Sequence, residues 1–220
     1  MTHSDEHVET SLCAGDPRIR RQVRLPIILH DRRCVTASAV SFAGLDGDLE
    51  HIALIFNSPA GPGATDGTSR VRLHSECLTG DVFGSARCDC GPQLREAIES
   101  MAQLGGIILY LRQEGRGIGL YNKLDAYSLQ DRGLDTFAAN RELLFKDDLR
   151  DYGIAAAMLN ALNISRIRLI TNNPDKAWQL AHHGVSVVEV ITTHVHLNQH
   201  NVTYLSAKRD RAGHYIRLPN

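Results

Sequence analysis

The sequence predicts a mixed α/β fold of the α+β type, with a strand-rich N-terminal half and alternating strands and helices in the C-terminal half around one mixed sheet. Two observations predict it. Short β-branched runs separated by turn residues fill the first half, whereas helical spacing alternates with continuous apolar runs after residue 91. Strands that alternate with helices favour a sheet covered by helices. A chain of 220 residues can bury one good core, so we expect a single domain over residues 18–220.

The N-terminal elements follow from three apolar runs. Residues 1–17 precede them, carry no hydrophobic period and end at Pro17, so they predict a mobile tail, which contains Cys13. The runs "RQVRLPIILHDRRCVTASAVSFAGL", "LEHIALIFN" and "RVRLHSECL" predict strands, and Cys34 in the first run is expected to serve packing. The composition of "SPAGPGATDGTS", between the second and third runs, predicts a loop.

In the C-terminal half, the spacing of apolar residues alternates between the pattern of a helix and that of a buried strand. In "PQLREAIESMAQL", Leu94, Ile98 and Met101 have helical spacing and Gly105 follows as the helix end. "GIILYL" then predicts a buried strand, and "YNKLDAYSLQDRG" predicts a helix closed by Gly133. The remaining segments predict, in order, a helix, a strand, a helix, a strand and a last helix: "LRDYGIAAAMLNALNI", "RIRLIT", "NPDKAWQLAHHG", "VSVVEVI" and "TYLSAKRDRAGHYI".

The composition excludes several classes of partner. Because 24 Lys and Arg residues nearly balance 25 Asp and Glu residues, the formal net charge is -1, and no global field favours nucleic acid or a membrane surface. An anionic ligand must then be held by local arginines and backbone amides. The N-terminus lacks the pattern of a secretory signal, and no apolar stretch is long enough to cross a bilayer, so we expect a cytoplasmic protein. An odd number of cysteines, five, argues against a disulfide framework.

Three of those cysteines lie in "HSECLTGDVFGSARCDCG", where Cys77, Cys88 and Cys90 have the spacing C-x10-C-x-C. Three thiolates that converge suit zinc, and a site with three protein ligands leaves a fourth position for a water, as in catalytic zinc sites. Two alternatives remain open on spacing alone. The cysteines could form a structural zinc site completed by His74, or they could be buried small side chains without a metal.

A glycine-rich segment, "LRQEGRGIGLYNK", follows a predicted strand and opens a predicted helix. Such a junction is where open α/β sheets bind ligands, although this glycine spacing matches neither the dinucleotide fingerprint nor the P-loop. Glu114 lies between two arginines, and a carboxylate can accept hydrogen bonds from N1 and the amino group of guanine. A surface ion-pair group is the alternative interpretation.

Taken together, "RLHSECLTGDVFGSARCDCGPQL", "LRQEGRGIGLYNK", "AYSLQDRGLDT", "DLRDYG" and "TNNPDK" closely resemble the GTP cyclohydrolase II family. The members of this family are zinc enzymes that open the guanine imidazole ring in riboflavin synthesis. The resemblance runs in one consistent order from Leu25 to the C-terminus. It implies that the cysteine cluster is a catalytic zinc site.

The resemblance also implies a reaction and a set of roles. GTP and water would give formate, pyrophosphate and a diaminopyrimidinone ribosyl phosphate, with Mg²⁺ at the triphosphate and a homodimeric enzyme. Asp148 matches the family's proton acceptor, Arg150 its nucleophile towards the α-phosphate, and Tyr127 a tyrosine near the zinc. The zinc ligands would be Cys77, Cys88 and Cys90. The implied GTP contacts are Arg72, Leu73, His74, Ser75, Glu76, Gln93, Glu114, Gly115, Arg116, Thr136, Thr171 and Lys176.

Each role has a plainer alternative. Asp148 and Arg150 could be a helix cap and its ion-pair partner, and Tyr127 could be a core residue of an amphipathic helix. Thr171 and Lys176 flank a turn that suits a phosphate cradle, but Asn-Asn-Pro is also ordinary turn chemistry. A polar loop rather than a second metal site is the favoured interpretation of a histidine-rich stretch, which contains His194, His196 and His200.

The sequence departs from the family's usual pattern at three places. Asp125 stands where an arginine is usual, Ala138 where a glutamate is usual, and Leu144 where a glycine is usual. Alternative functions are therefore a paralogue that opens another purine nucleotide, one that serves secondary metabolism or pyrimidine catabolism, and a non-catalytic guanine-nucleotide sensor. The sensor is disfavoured because the chain keeps Asp148, Arg150 and all three cysteines.

Overall fold

The computed structural model describes residues 16–57, 67–134, 136–146 and 148–217, with the backbone alone at residues 136 and 137. Its strands form one seven-stranded sheet in the order β1-β2-β3-β5-β4-β6-β7. The first four strands in this order pair antiparallel and the last four pair parallel, so the predicted mixed sheet is confirmed. The strands are β1 Arg18–Ile28, β2 Cys34–Ala43, β3 Ile52–Phe56, β4 Ser69–Ser75, β5 Gly106–Leu111, β6 Arg166–Ile170 and β7 Ser186–Ile191.

Helices cover both faces of the sheet. On one face, α5 and α6 contribute Met158 and Leu180 to a core that contains Val71 and Leu169. On the other face, α2 packs on strands that include Ile108. The helices are α1 Leu78–Asp81, α2 Cys90–Leu104, α3 Leu120–Gln130, α4 Thr136–Glu142, α5 Gly153–Ala161, α6 Pro174–His182 and α7 Val202–Ala212.

Several predicted boundaries differ from the structure by about one helical turn. Helix α3 ends at Gln130 rather than at Gly133. Helix α5 begins only at Gly153, because the Asp151 side chain accepts a hydrogen bond from the Gly153 amide, so the chain before it is not helical. Helix α7 ends at Ala212, since Gly213 adopts a left-handed conformation with φ 63°, so "HYI" leaves the helix.

The β1–β2 hairpin corrects one prediction. Cys34 does not pack in the core, because it lies exposed at the first residue of β2. Strand β1 is exposed along nearly its whole length, so this end of the hairpin extends beyond the core. The prediction for the loop after β3 falls largely on residues 58–66, and Cys13 with most of the tail falls on residues 1–15, all of which lie outside the described residues.

The parallel strands bring the predicted motifs together. Ser75 of β4 pairs in register with Leu111 of β5, and β6 on the other side of β4 ends at Ile170. The segments after β4, β5 and β6 therefore leave the same edge of the sheet, where open sheets bind ligands. Within the described parts of the chain, no helix has both the length and the apolar character needed to cross a membrane.

Candidate active site

A cavity of about 370 Å³ lies at this edge of the sheet. It is lined by every predicted site residue except Thr136, whose side chain lies outside the described residues. The predicted residues on its wall are Arg72, Leu73, His74, Ser75, Glu76, Cys77, Cys88, Cys90, Gln93, Glu114, Gly115, Arg116, Tyr127, Asp148, Arg150, Thr171 and Lys176. Residues that the sequence scatters over a hundred positions thus share one space.

Three thiols form a compact cluster in this cavity. Cys77 precedes α1, Cys90 begins α2, and the Sγ atoms of these two and of Cys88 all lie within 4.8 Å of one another. The Sγ atoms of Cys77 and Cys88 are 3.6 Å apart. Thiolates bound tetrahedrally to zinc at about 2.3 Å lie about 3.8 Å apart, so the cluster fits a zinc ion.

The three thiols of the cluster differ in pKa. Hydrogen bonds from Cys88 and Cys90 lower the pKa of Cys77 far below the usual range. The same bonds raise the pKa of Cys88 to about 11 and raise that of Cys90 as well. A metal ion replaces these bonds with three metal–thiolate bonds, which is why thiolate ligands release protons when they bind metal.

Gly80 explains why the chain can pack so tightly on the thiols. A Cβ atom at this position would lie 2.8 Å from the Cys88 Sγ and 3.1 Å from the Cys77 Sγ. Any larger residue would therefore push the thiols apart. The glycine of the "TGD" turn is required by close approach to the cluster.

His74 does not complete a four-ligand metal site in the structure. Its Nε2 lies 3.1 Å from both carboxylate oxygens of Asp81, and it is not part of the thiol cluster that the described residues form. Burial lowers the pKa of His74 despite this contact, so the imidazole is neutral and donates to the carboxylate. The interpretation as a structural zinc site completed by His74 is therefore not supported.

Asp81 is an organising residue that sequence reasoning missed. Its Oδ2 accepts hydrogen bonds from the Cys77 amide at 3.0 Å and from the Tyr110 hydroxyl at 2.9 Å, besides its contact with His74. It thereby fixes the backbone of one thiol and the orientation of a cavity histidine. The turn letters around it gave no signal of this role, because its partners come from different strands.

Lys123 is a second residue that was missed. The Nζ atom lies 3.2 Å from the Cys77 Sγ, 3.1 Å from the Thr79 Oγ1 and 2.8 Å from the Glu114 Oε1. Burial alone would lower the pKa of Lys123, but Cys77 and Glu114 together raise it above its usual range, so the ammonium stays charged beside the thiols. Its i, i+4 spacing from Tyr127 on α3 was a usable signal that both face one side.

Glu114 is already engaged by the protein. Its carboxylate accepts hydrogen bonds from the Leu78 amide at 2.7 Å, from the Gly115 amide at 2.8 Å and from Lys123. A carboxylate has about four acceptor positions. One position remains, whereas N1 and the amino group of guanine would need two, so the predicted guanine contact requires the loss of one protein hydrogen bond.

Tyr127 lies at the cavity wall beside the thiol cluster. Its hydroxyl is 3.5 Å from the Thr79 Oγ1, which is itself 3.7 Å from the Cys77 Sγ. The Arg87 guanidinium lies 4.8 Å from the centre of the ring, and burial raises the pKa of Tyr127. The residue is half-buried and faces the cavity rather than the hydrophobic core.

Asp148 and Arg150 form an ion pair before α5. The Arg150 Nε donates to Asp148 at 2.9 Å and its Nη2 donates to the second oxygen, while the Nη1 lies 3.4 Å from the Ser75 Oγ. Burial alone would lower the pKa of Arg150 and raise that of Asp148, but their contact reverses both shifts, so both groups are charged. The helix-cap interpretation of Asp148 is wrong, since α5 begins at Gly153 with Tyr152 at the N-cap position.

Two buried cations lie next to this pair. Lys176, in the first turn of α6, donates to the Leu73 carbonyl at 2.9 Å, and burial with the nearby Arg72 and Arg150 lowers its pKa. Arg72 donates to the Ile170 carbonyl at 3.2 Å, while its Nε has no hydrogen-bond partner among the described residues. Both side chains use neutral acceptors among the described residues, so an anionic ligand bound here would meet the charged Arg72 and would favour the protonated form of Lys176.

The histidine-rich stretch lies elsewhere. His194 and His196 both contact the carboxylate of Glu96, at 2.7 and 2.9 Å. Among the described residues the thiol cluster is the one group of three metal-ligating side chains that the structure brings together. The three departures from the family pattern, Asp125, Ala138 and Leu144, do not line the cavity.

A thiol cluster that could hold a metal ion, in a cavity lined by basic side chains, is typical of a metal-dependent enzyme, and the comparisons with known proteins identify the class. The family model for GTP cyclohydrolase II matches residues 28–192, and the chain belongs to that family. It is 52% identical over 201 residues to "GTP cyclohydrolase-2" of Aliivibrio salmonicida, covering 91% of this chain and 98% of that one. It is 55% identical over 184 residues to the protein of the same name from Vibrio cholerae, covering 84% and 91%.

A longer relative matches over part of its length. The chain is 52% identical over 178 residues to "Riboflavin biosynthesis protein RibBA" of Cytophaga hutchinsonii, which covers 80% of this chain and 43% of the relative. The matched family segment ends at residue 192, before α7 begins.

Proposed function

We propose that this chain is a zinc-dependent GTP cyclohydrolase II. It hydrolyses GTP to 2,5-diamino-6-(5-phosphoribosylamino)pyrimidin-4(3H)-one, formate and pyrophosphate, the first step of riboflavin biosynthesis. The observation that carries the proposal is the convergence of the family's motif residues on one cavity that also holds three clustered thiols. Family membership supports the substrate and the reaction.

The metal site uses Cys77, Cys88 and Cys90. These three residues would hold a zinc ion, which would lower the pKa of a bound water and so provide the nucleophile for hydrolysis of the imidazole ring. Lys123 keeps a positive charge against the Cys77 thiolate, and the absence of a side chain at Gly80 lets the three sulfur atoms approach one another. Tyr127 lies where its hydroxyl can hold or pass a proton beside this site.

The phosphate end of the nucleotide uses the buried cations. The residues that would contact the phosphates are Arg72, Lys176 and Arg150, which line the cavity. Mg²⁺ bound to GTP would supply further positive charge there. Because Arg150 stays protonated, it holds the α-phosphate as a bidentate cation in this proposal, and Asp148 fixes the plane of the guanidinium. The family's nucleophilic role for Arg150 is the competing proposal, in which Asp148 takes a proton from the guanidinium as the bond to phosphorus forms.

Guanine selection by Glu114 also stays a proposal. It requires that Glu114 give up one of its three protein hydrogen bonds, for example the one from Lys123, because only one acceptor position remains. If Glu114 reads the base, adenine leaves a buried carboxylate position unpaired, and ATP competes poorly with GTP. Equal competition by ATP in wild-type protein would remove Glu114 from base recognition.

We also propose a homodimer in a reducing, cytoplasmic environment. Three reduced thiols at the metal site require such an environment. The long edge strand β1 exposes Val23 and Ile28, at 57% and 76%, and pairs only with β2 among the described strands. Sedimentation of Val23→Asp tests the dimer: a monomer supports the β1 interface, whereas a dimer as stable as that of a Val82→Asp control contradicts it.

The activity is tested by incubating the purified zinc-loaded protein with GTP and Mg²⁺, and by following formate, pyrophosphate and the pyrimidine product. We expect all three from GTP and little from ATP. Formation of the products from another purine nucleotide in preference to GTP would identify a paralogue with a different substrate. Tight GTP binding without products would identify a sensor, and either result overturns the proposal.

A further inference from the structure

Helix α7 and the turn after it form one wall of the cavity, although they lie beyond the segment matched by the family model. The wall residues from this segment are Tyr204, Lys208, Arg211, Ala212, His214 and Ile216. The helix is anchored, because Leu205 is fully buried and the Tyr215 amide donates to the Asn172 carbonyl at 2.8 Å. The segment is therefore a fixed part of the site.

Lys208 is held at the cavity wall rather than in solvent. Its Nζ donates to the Asp89 Oδ1 over 3.4 Å and lies 4.3 Å from the centre of the Tyr204 ring. Its side chain is 14% exposed. Asp89 is buried and lies in the sequence between Cys88 and Cys90, so this contact places Lys208 next to the thiol loop.

The side chain of His214 lines the same cavity. Burial together with Lys208, Arg150 and Lys176 holds the pKa of His214 near 3, so the imidazole is neutral at working pH. Lys208, Arg150 and Lys176 line the same cavity as His214. The residue can donate or accept a hydrogen bond there without adding charge.

Most carboxylates of the cavity have a basic partner in the protein. Glu114 is paired with Lys123, Asp148 with Arg150, and Glu76 with Arg112. Asp175 also lines the cavity and accepts a hydrogen bond from Gln179, while Lys208 is paired with Asp89. Arg72 hydrogen-bonds the Ile170 carbonyl and the Gln93 side chain, so together with the basic side chains of α7 it suits the cavity to a ligand with several negative charges.

We propose that Lys208 and Arg211 of α7 bind the outer phosphates of the nucleoside triphosphate, the group that leaves as pyrophosphate. His214 adds a neutral hydrogen bond to the same group. This inference rests on the proposed function for the identity of the ligand. In this arrangement Arg72, Arg150 and Lys176 contact the α-phosphate. Lys208 and Arg211 contact the β- and γ-phosphates.

The test compares two probes that differ in outer phosphates, inorganic tripolyphosphate and GMP, by calorimetry on zinc-loaded protein. We expect Lys208→Met and Arg211→Met each to weaken tripolyphosphate binding by about tenfold or more, because each removes a charge-assisted contact. GMP binding is expected to stay within about twofold of wild type, since GMP has no β- or γ-phosphate. Lys208→Arg is expected to retain tripolyphosphate binding.

Arg209→Met is the matched control. Arg209 follows Lys208 on the same helix, but its side chain is 43% exposed, pairs with Asp210 and does not line the cavity. It should leave both affinities and the melting temperature unchanged. Zinc content and melting temperature of every variant identify any loss of fold.

Two results overturn the inference. The first is unchanged tripolyphosphate binding in both Lys208→Met and Arg211→Met. The second is an equal loss of GMP and tripolyphosphate binding, which would mean that α7 supports the thiol loop through Asp89 rather than binding phosphate. Neither readout needs ring opening, so a protein that fails to open GTP but shows the predicted pattern refutes the proposed function and leaves this inference standing.

Discussion

Lys123 is the residue that most directly couples the thiol cluster to the glycine-rich segment. It joins the thiol of Cys77 to the carboxylate of Glu114 in a buried position. A buried charge pair contributes little when intact, but removal of one partner leaves the other charge uncompensated. The loss of Lys123 is therefore expected to affect both the site and the stability of the fold.

Lys123→Met is expected to lower the free energy of unfolding by about 3 kcal/mol, because Glu114 then stays buried without its cation. It is also expected to weaken zinc binding, since the positive charge beside the Cys77 thiolate is lost. Chemical denaturation and competition with a chelator measure the two effects. Lys146→Met, at an exposed position, is the control, and equal zinc retention in both variants would contradict the role assigned to Lys123.

Arg150 separates two chemical roles. A bidentate cation that only holds the α-phosphate should tolerate Arg150→Lys with a loss of pyrophosphate release within about 10²-fold. A nucleophile should lose more, and Asp148→Asn should lose as much, because the two residues then act as one unit. Pyrophosphate and formate are measured separately, and zinc content should not change. Wild-type rates of both products in Arg150→Ala would remove Arg150 from the mechanism.

Leu144 carries a strained backbone where the family usually has glycine. Its φ is 62°, in the left-handed region, and its side chain is 94% exposed, so no packing offsets the strain. Leu144→Gly is expected to raise the free energy of unfolding by about 1 kcal/mol. Leu143→Gly, at a neighbouring position without positive φ, should destabilise instead. Because Leu144 does not line the cavity, a large change in GTP affinity in Leu144→Gly would contradict this account.

At the scale of elements, the short helix α1 sets the spacing of the thiols. Gly80 lies against all three cysteines, so Gly80→Ala is expected to push the Sγ atoms apart and to lower zinc content and ring opening together. The circular dichroism of the fold should remain close to that of the wild type. Val82→Ala, at an exposed position at the end of the same helix, is the control. Full zinc occupancy in Gly80→Ala would contradict this prediction, because it would mean that the backbone can shift to accommodate the added Cβ atom.

Elements with a strong local pattern were predicted from the sequence. The strand β5 coincides with "GIILYL", and α2 ends at the glycine that the pattern indicated. The thiol cluster was also predicted, because its three cysteines lie close together in the chain. The roles of Lys208 and Asp81 could not be predicted, since each contacts a residue of a distant element, Asp89 for Lys208 and Tyr110 for Asp81. The contact of Lys208 with Asp89 spans 119 positions, and no spacing rule describes it.

At the scale of the whole molecule, the parallel half of the sheet explains why so many candidate site residues line one cavity. Strands β4, β5 and β6 end at one edge, so the thiol loop, the glycine-rich segment and the start of α6 meet there. Helix α7 covers the remaining side. The thiol cluster and the basic side chains of the cavity are thus held by the same sheet. Such fixed positioning of groups is the usual basis of orientation in catalysis.

The central claim is that this cavity opens the imidazole ring of GTP with the thiol-bound metal. The most direct measurement uses GTP labelled at C8, the carbon between the two imidazole nitrogens, with zinc-loaded wild-type protein and with Cys88→Ser. We expect the wild type to release the label as formate, and Cys88→Ser to release none while it remains folded. Label that stays in the nucleotide with the wild type, or formate released at equal rates by both proteins, would contradict the account.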